Sequence, residues 1–448
     1  MINTYRCGHP IQNYFGVRDD SIGFLANVSA ECGDLARVKI FGLQFYLVNE
    51  PALIREALVE KHETIIIKGG VSTGLARLIG RGILTNRGNQ WRKSRQQLQP
   101  LFQQEALESY RPTMETRIQE SLDRWKTEFS GRSFSLNREI LALSIRITCS
   151  NLFQYVPTFD EALDFSDAIW TLQSDGMRRY VIGVDNFPWL PIPLNRRVAR
   201  AKKTIYQLAD KMVAQGTPHP QDEILSILFA GTESPANTIC WGLKLLEENP
   251  NWRNRLFEQV RHSNQNEAAV DGCPNRGKRE PPDLLSRVLA ETMRLYPAGW
   301  AFERFASDAT SLGGEPIKKG SRFLFSPFLL HRNPRIWKNP EDFDPERFRE
   351  SVTAPSGIPK YGFLPFGAGP RSCIGSRMAW NEMILILKMI LTQCRWKFES
   401  PADGAPLKPE GSFKIRLNQP LRARIYFHDE PQASATPTGR FSENPPRI

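Results

Sequence analysis

The segment Phe366-Gly367-Ala368-Gly369-Pro370-Arg371-Ser372-Cys373-Ile374-Gly375 holds the residues best placed to do chemistry. Its three glycines let the backbone turn tightly and approach a flat group, and an apolar helical pattern begins where it ends, from about Gly375 to Leu391. Amides near the start of that helix can hydrogen-bond a sulfur and hold it as the thiolate, the form that ligates metals. Cys7, Cys32, Cys149, Cys240, Cys273 and Cys394 read as small buried hydrophobes, whereas this spacing makes Cys373 a ligand.

Three further groupings could serve such a ligand. In Ala230-Gly231-Thr232-Glu233-Ser234-Pro235 the small residues leave space, and an acid beside an alcohol can relay protons. Pro235 has no amide to donate, so a helix through this stretch should kink or widen there. Glu291 and Arg294, at i and i+3, share one helix face and can form an ion pair, although a solvated surface pair is the ordinary outcome. Trp91 and Arg95, four apart, read either as part of an amphipathic helix or as two groups reaching one site.

Phe366 to Gly375 matches F-G-x-G-x-R-x-C-x-G without a gap, and the chain resembles the cytochrome P450 superfamily over nearly its whole length. The resemblance implies haem b, with Cys373 as proximal iron ligand, Phe366 beside the sulfur, Gly375 closing the loop and Arg371 on a haem propionate. It also assigns Trp91 and Arg95 to propionates, and it makes Ala230 and Gly231 the small residues that leave room for dioxygen. Arg304 is either another propionate ligand or a strand-edge charge. Glu233 and Ser234 become the catalytic proton relay, with Ser234 in place of the customary threonine. Pro345-Glu346-Arg347-Phe348 looks like the family's P-E-R-F segment, whose Arg347 would join Glu291 and Arg294 in a buried structural network behind the cysteine loop.

The implied activity is monooxygenation of an apolar small molecule: one atom of dioxygen enters the substrate, the other leaves as water, and two electrons and two protons are consumed. No fused flavin domain or iron-sulfur cysteine cluster is legible, so NAD(P)H electrons are expected through an external reductase with a ferredoxin or flavodoxin. Ser234-Pro235 keeps a peroxygenase, isomerase or dehydratase open as alternatives, and Glu233 with Ser234 argues against a haem-binding sensor. A pocket lined from Ile65 to Leu84, about Phe165 to Leu194, Ala298 to Phe302 and near Phe413 would suit a terpenoid, fatty acyl or polyketide-like molecule.

Holding these groups requires a mainly α-helical body with a small β-rich lobe, the cytochrome P450 fold enclosing haem b, as one domain over 1–428. The strands are expected near 37–50, around Gly42, and near 300–330; a helix opens at Pro51. Helical periodicity dominates from about Gln90 to Cys240, and QDEILSILFAGTESPANTICWGLKLLEEN, apolar nearly all round, belongs in the centre. AQGTPHPQDEIL joins the preceding helix to it almost directly, where family members commonly place a further helix. His262 to Asp283 is a polar surface loop, and 429–448 is expected to be a disordered tail.

A hydrophobic content of 40% with 10% aromatics describes a globular protein. The net charge of +11 comes in short clusters, such as Arg196, Arg197, Arg200, Lys202 and Lys203, with no recognition motif, so nucleic acid is not an expected partner. Arg92, Lys93 and Arg95 could instead form a docking face for an acidic redox partner. Seven scattered cysteines without a CxxC pair fit a reducing cytoplasm, and the N-terminus shows no apolar run long enough for a membrane anchor. A cytoplasmic monomer is expected.

Overall fold

Buried Ala36 and Val38 alternate with exposed Arg37 and Lys39, so Leu35–Ile40 forms a strand with one face in the core. It pairs antiparallel with Leu43–Val48, Val38 standing opposite Phe45. That strand runs parallel to Arg322–Phe325, which takes Phe302–Phe305 antiparallel on its far side. With Asn3–Thr4 at the other edge these make a five-stranded sheet, the β-rich lobe expected from the sequence. The computed structural model describes residues 3–5, 10–40, 43–65, 70–181, 183–184, 187–263, 281–401 and 404–428. Gly42, Cys7, Cys273, most of the polar loop after Ser263 and the 429–448 tail lie outside them.

The remainder is mainly helical. Leu136–Phe153 is buried on nearly every face, and Glu233–Glu248, Leu284–Leu295 and Ser376–Gln393 pack with it into one core. Asp283 caps Leu284–Leu295 by accepting from the Ser286 amide, which fixes where Glu291 and Arg294 fall. Smaller sheets join Ser133–Ser135 with Arg422–Phe427 and Cys394–Phe398, and Pro409–Gly411 with Ile415–Leu417, whose Ile415 packs in one cluster with Val38 and Leu47 of the lobe.

The single long helix read through 221–249 is two helices, Gln221–Gly231 and Glu233–Glu248, meeting at Thr232. The cause is local. Pro235 offers no amide to the Gly231 carbonyl, and the Thr232 hydroxyl donates to the Leu228 carbonyl at 2.7 Å. Only residues 215–220 separate this pair from the preceding helix, Pro193–Ala214.

Candidate active site around Cys373

The cysteine loop is shaped from within. Gly367 and Gly369 adopt φ of +69° and +70°, a region that side chains disfavour, and a Cβ on Gly369 would lie 2.0 Å from the Leu58 carbonyl oxygen. The Cys373 amide donates to the Phe366 carbonyl at 2.9 Å, closing the loop. Burial pushes the Cys373 thiol up, while a hydrogen bond from the Gly375 amide and the charges of Arg95 and Lys414 pull it towards thiolate. Cys373 is nevertheless accessible, because it faces a cavity. Cys32, Cys149, Cys240 and Cys394 are buried.

That cavity, about 330 Å³, falls in the size range of cofactor and ligand clefts, roughly 300 to 1,000 Å³. Trp91, Arg95, Ala230, Gly231, Ser234, Phe366, Arg371, Cys373 and Gly375 all line it, drawn from three separate parts of the chain. Ile83, Leu84, Ala298, Gly299 and Phe302 add apolar wall. The described residues from Phe165 to Leu194 contribute nothing to this wall, and Phe413 packs against Phe229 instead of lining it.

Its arginines bear on what the cavity can hold. Arg371 stacks over the Trp91 ring at 4.2 Å and donates to the Asn86 carbonyl at 3.0 Å, yet its buried Nε has no partner. Burial, then Arg304 and Arg87, push it down to about 9. Arg95 donates to the Ser372 carbonyl at 2.8 Å. Among the described residues no carboxylate pairs with Arg371, Arg95 or Arg304. Three cations gathered without an anion fit a bound group carrying carboxylates, as haem does. Nor do the described residues bring together three His, Cys, Asp or Glu around a metal ion. A metal on Cys373 would therefore take its other donors from a bound group.

Two expected site residues stand elsewhere. Arg304 is buried beside the wall, its guanidinium over the Phe302 ring at 4.9 Å, and burial pushes it down to about 10. Glu233, read as the acid of the relay beside Ser234, does not line the cavity. Its carboxylate accepts from Gln173 Nε2 at 2.5 Å and lies 3.6 Å from Lys414 Nζ. Helix geometry turns adjacent residues about 100° apart, so Glu233 and Ser234 cannot both face the same way. Ser234 faces the cavity, with its hydroxyl donating to the Ala230 carbonyl at 3.0 Å.

Behind the loop, Glu291 and Arg294 are fully buried and bonded side-on at 2.7 and 2.8 Å. Arg347 Nε stands 3.4 Å from Glu291, and its guanidinium donates to the Asn339 carbonyl. The spacing of Glu291 and Arg294 left a solvated pair open; their burial excludes it. His331 extends this network to the cysteine loop. Its Nε2 accepts from the Leu364 amide at 2.8 Å, while Nδ1 contacts the Arg294 carbonyl at 3.2 Å. Burial, with Arg294 and Arg332 nearby, holds the ring down at about 3, so it is neutral and keeps that acceptor.

Sequence reasoning passed over Glu382, although a carboxylate directly before the apolar run MILILKMIL is an unusual neighbour. It lines the cavity, accepts from Ser144 Oγ at 2.6 Å and is pushed by burial up to about 8. The unfolded chain loses this proton near the ordinary 4.5, the folded one near 8. Stability from this group is thus complete below 4.5 and lost as pH rises through 8. Glu382→Gln, which cannot ionise, is expected to gain about 3 kcal/mol on the parent at pH 7 and nothing at pH 4. Denaturant midpoints at both pH values measure it, and equal gains would show that Glu382 is ionised in the fold.

The Cytochrome P450 family profile matches residues 9–223 and 218–423. Cyclooctat-9-en-7-ol 5-monooxygenase of Streptomyces melanosporofaciens is 28% identical over 86% of each chain. Pentalenene oxygenase of Streptomyces avermitilis is 26% identical over 86% of this chain and 88% of its own. No described helix is long and apolar enough to cross a membrane. With a cysteine loop, an arginine-lined cavity and a buried Glu-Arg-Arg network assembled in one fold, the chain belongs to the cytochrome P450 family and is an oxidoreductase of its monooxygenase class.

Proposed function

We propose that this enzyme inserts one oxygen atom of dioxygen into an apolar terpenoid-class molecule in secondary metabolism, with electrons from NAD(P)H through an external reductase and a ferredoxin or flavodoxin. The observation that carries the reading is that the Cys373 thiol and the Ser234 hydroxyl line one cavity whose remaining wall is mainly aliphatic and aromatic. The names of the two Streptomyces relatives, a cyclooctatenol monooxygenase and a pentalenene oxygenase, support a hydrocarbon skeleton. The exposed Arg92 and Lys93, with half-buried Arg95 leading inward to Ser372, supply a basic face for an acidic electron donor.

Bound haem supplies the redox chemistry at which dioxygen is split. Cys373 would hold the iron, Arg371, Arg95 and Trp91 would hold the carboxylates of the group, and Ala230 and Gly231 would leave space beside it. Ser234 Oγ holds and passes a proton on the substrate side. Ile83, Leu84, Ala298 and Phe302 exclude water and orient an apolar molecule.

A library of terpenes and terpene alcohols, screened by optical spin-state shift, should contain a binder that is then oxidised by the reconstituted enzyme. In that assay Ser234→Ala is expected to lower product per reduced nicotinamide by about 100-fold, the scale of one acid-base group, while peroxide release rises. Ser234→Thr should keep or improve coupling. Turnover of the binder with peroxide alone, and none with the reductase system, would replace this reading with a peroxygenase.

A further inference from the structure

The break at Thr232 leaves the end of Gln221–Gly231 with carbonyls to be satisfied, and a lysine from a distant part of the chain meets them. Lys414 follows Phe413 in the turn of the Pro409–Gly411 and Ile415–Leu417 hairpin and is buried. Its Nζ donates to the Phe229 carbonyl at 2.5 Å and to the Ala230 carbonyl at 3.1 Å, with Glu233 Oε2 at 3.6 Å. All three ammonium hydrogens therefore have an acceptor to point at, two of them at a helix C-terminus, where a cation is favoured. The Ala230 carbonyl is shared, since it also accepts the Ser234 hydroxyl. An ammonium fixed on one lone pair holds that carbonyl in place, and with it the acceptor of the Ser234 hydroxyl.

The hairpin is itself fixed from several sides. Ser412 Oγ donates to the Gln173 carbonyl at 2.6 Å, and Gln173 in turn donates to Glu233. Asn237 donates to the Ile415 carbonyl at 3.1 Å, and the Ile415 amide to the Ala298 carbonyl at 3.0 Å. The hairpin that carries Lys414 thus ties the cavity-lining Ala298 segment, the central helix and the segment around Gln173 to one point.

We propose that Lys414 is a positioning residue for the central helix: its ammonium sits in the break, orients Ser234 through the shared Ala230 carbonyl, and holds Glu233 out of the cavity as its counter-ion. This rests on the reading that Ala230 to Ser234 border the space where dioxygen reacts. The pair then acts as a fixed clamp, and Ser234 alone presents a proton-carrying group from this segment.

The test uses haem-loaded protein and needs no substrate, so it can fail while the proposed reaction stands, and the reverse. Lys414→Met and the double variant Lys414→Met/Glu233→Gln are compared with the parent by folded yield, amide hydrogen exchange and the stretching band of carbon monoxide on the reduced protein. The single variant leaves the Glu233 carboxylate buried without its cation, so its yield and melting temperature should fall below those of the double variant. In the double variant, exchange over residues 230–237 should rise about tenfold or more, the scale of one lost charge-assisted hydrogen bond, while Ser376–Gln393 keeps its protection. Its carbon monoxide band should shift or split. Parent-like exchange and an unmoved band in the double variant would overturn the proposal. So would a double variant that does not fold, which would make the lysine a general folding requirement, or single and double variants of equal stability, which would break the counter-ion pairing.

Discussion

Arg294→Ala should yield almost no haem-loaded protein. All five N–H groups of this buried guanidinium are used: Nε and one Nη hydrogen on Glu291, the others on the His331, Pro340 and Asp342 carbonyls at 2.9, 2.6 and 2.9 Å. Alanine leaves Glu291, a carboxylate with no solvent access, with Arg347 at 3.4 Å in place of its side-on partner, and takes the Arg294 donors from three carbonyls. Breaking a buried pair costs about 3 to 5 kcal/mol, against a total stability of roughly 5 to 15 kcal/mol. The damage also points at the haem. The same arginine accepts His331 at its own carbonyl, and His331 holds Leu364 at the entrance to the cysteine loop. Arg294→Lys should fare little better, because an ammonium cannot reproduce five planar donors. Haem per chain and melting temperature after parallel purification measure both variants. Parent-like values for Arg294→Ala would mean that the network neither stabilises the fold nor holds the loop.

Much of this site was legible because its chemistry depends on local spacing. A ten-residue loop before a helix singled out Cys373 as the candidate ligand, and Glu291 with Arg294 three apart could be matched as a pair without knowing the fold. Leu35–Ile40 and Leu43–Val48 fall where RVKIFGLQFYLVN reads as two short strands around Gly42. The break in the central helix was legible from Pro235, although its place at Thr232 depends on a hydroxyl bonding to Leu228.

What escaped depends on contacts between residues far apart in the chain. Lys414 is 181 positions from Glu233, by the difference of their numbers, and nothing in SFKIR marks it as the partner of a helix. Without that lysine in view, an acid next to Ser234 reads naturally as a proton donor, and only the fold turns it away. His331 carries no signal in its local sequence, since its value lies in joining Arg294 to Leu364. Arg304 illustrates a third limit: strand periodicity buries it, but its distance from a cavity is a tertiary property.

The thiolate assignment itself is the second large effect. Cys373 is the one described free cysteine that reaches the cavity, held by the Phe366 carbonyl on one side and the Gly375 amide on the other. Alanine removes the sulfur and leaves the loop backbone able to close, so the protein should still fold while losing its iron ligand. Cys240→Ala, which changes a cysteine buried in the core, serves as the control. The decisive measurement is the optical spectrum of the reduced protein with carbon monoxide. The parent and Cys240→Ala should show the red-shifted Soret band of a thiolate-ligated haem, and Cys373→Ala should lose it altogether. An unchanged red-shifted band in Cys373→Ala would contradict the assignment of this cysteine as the iron ligand.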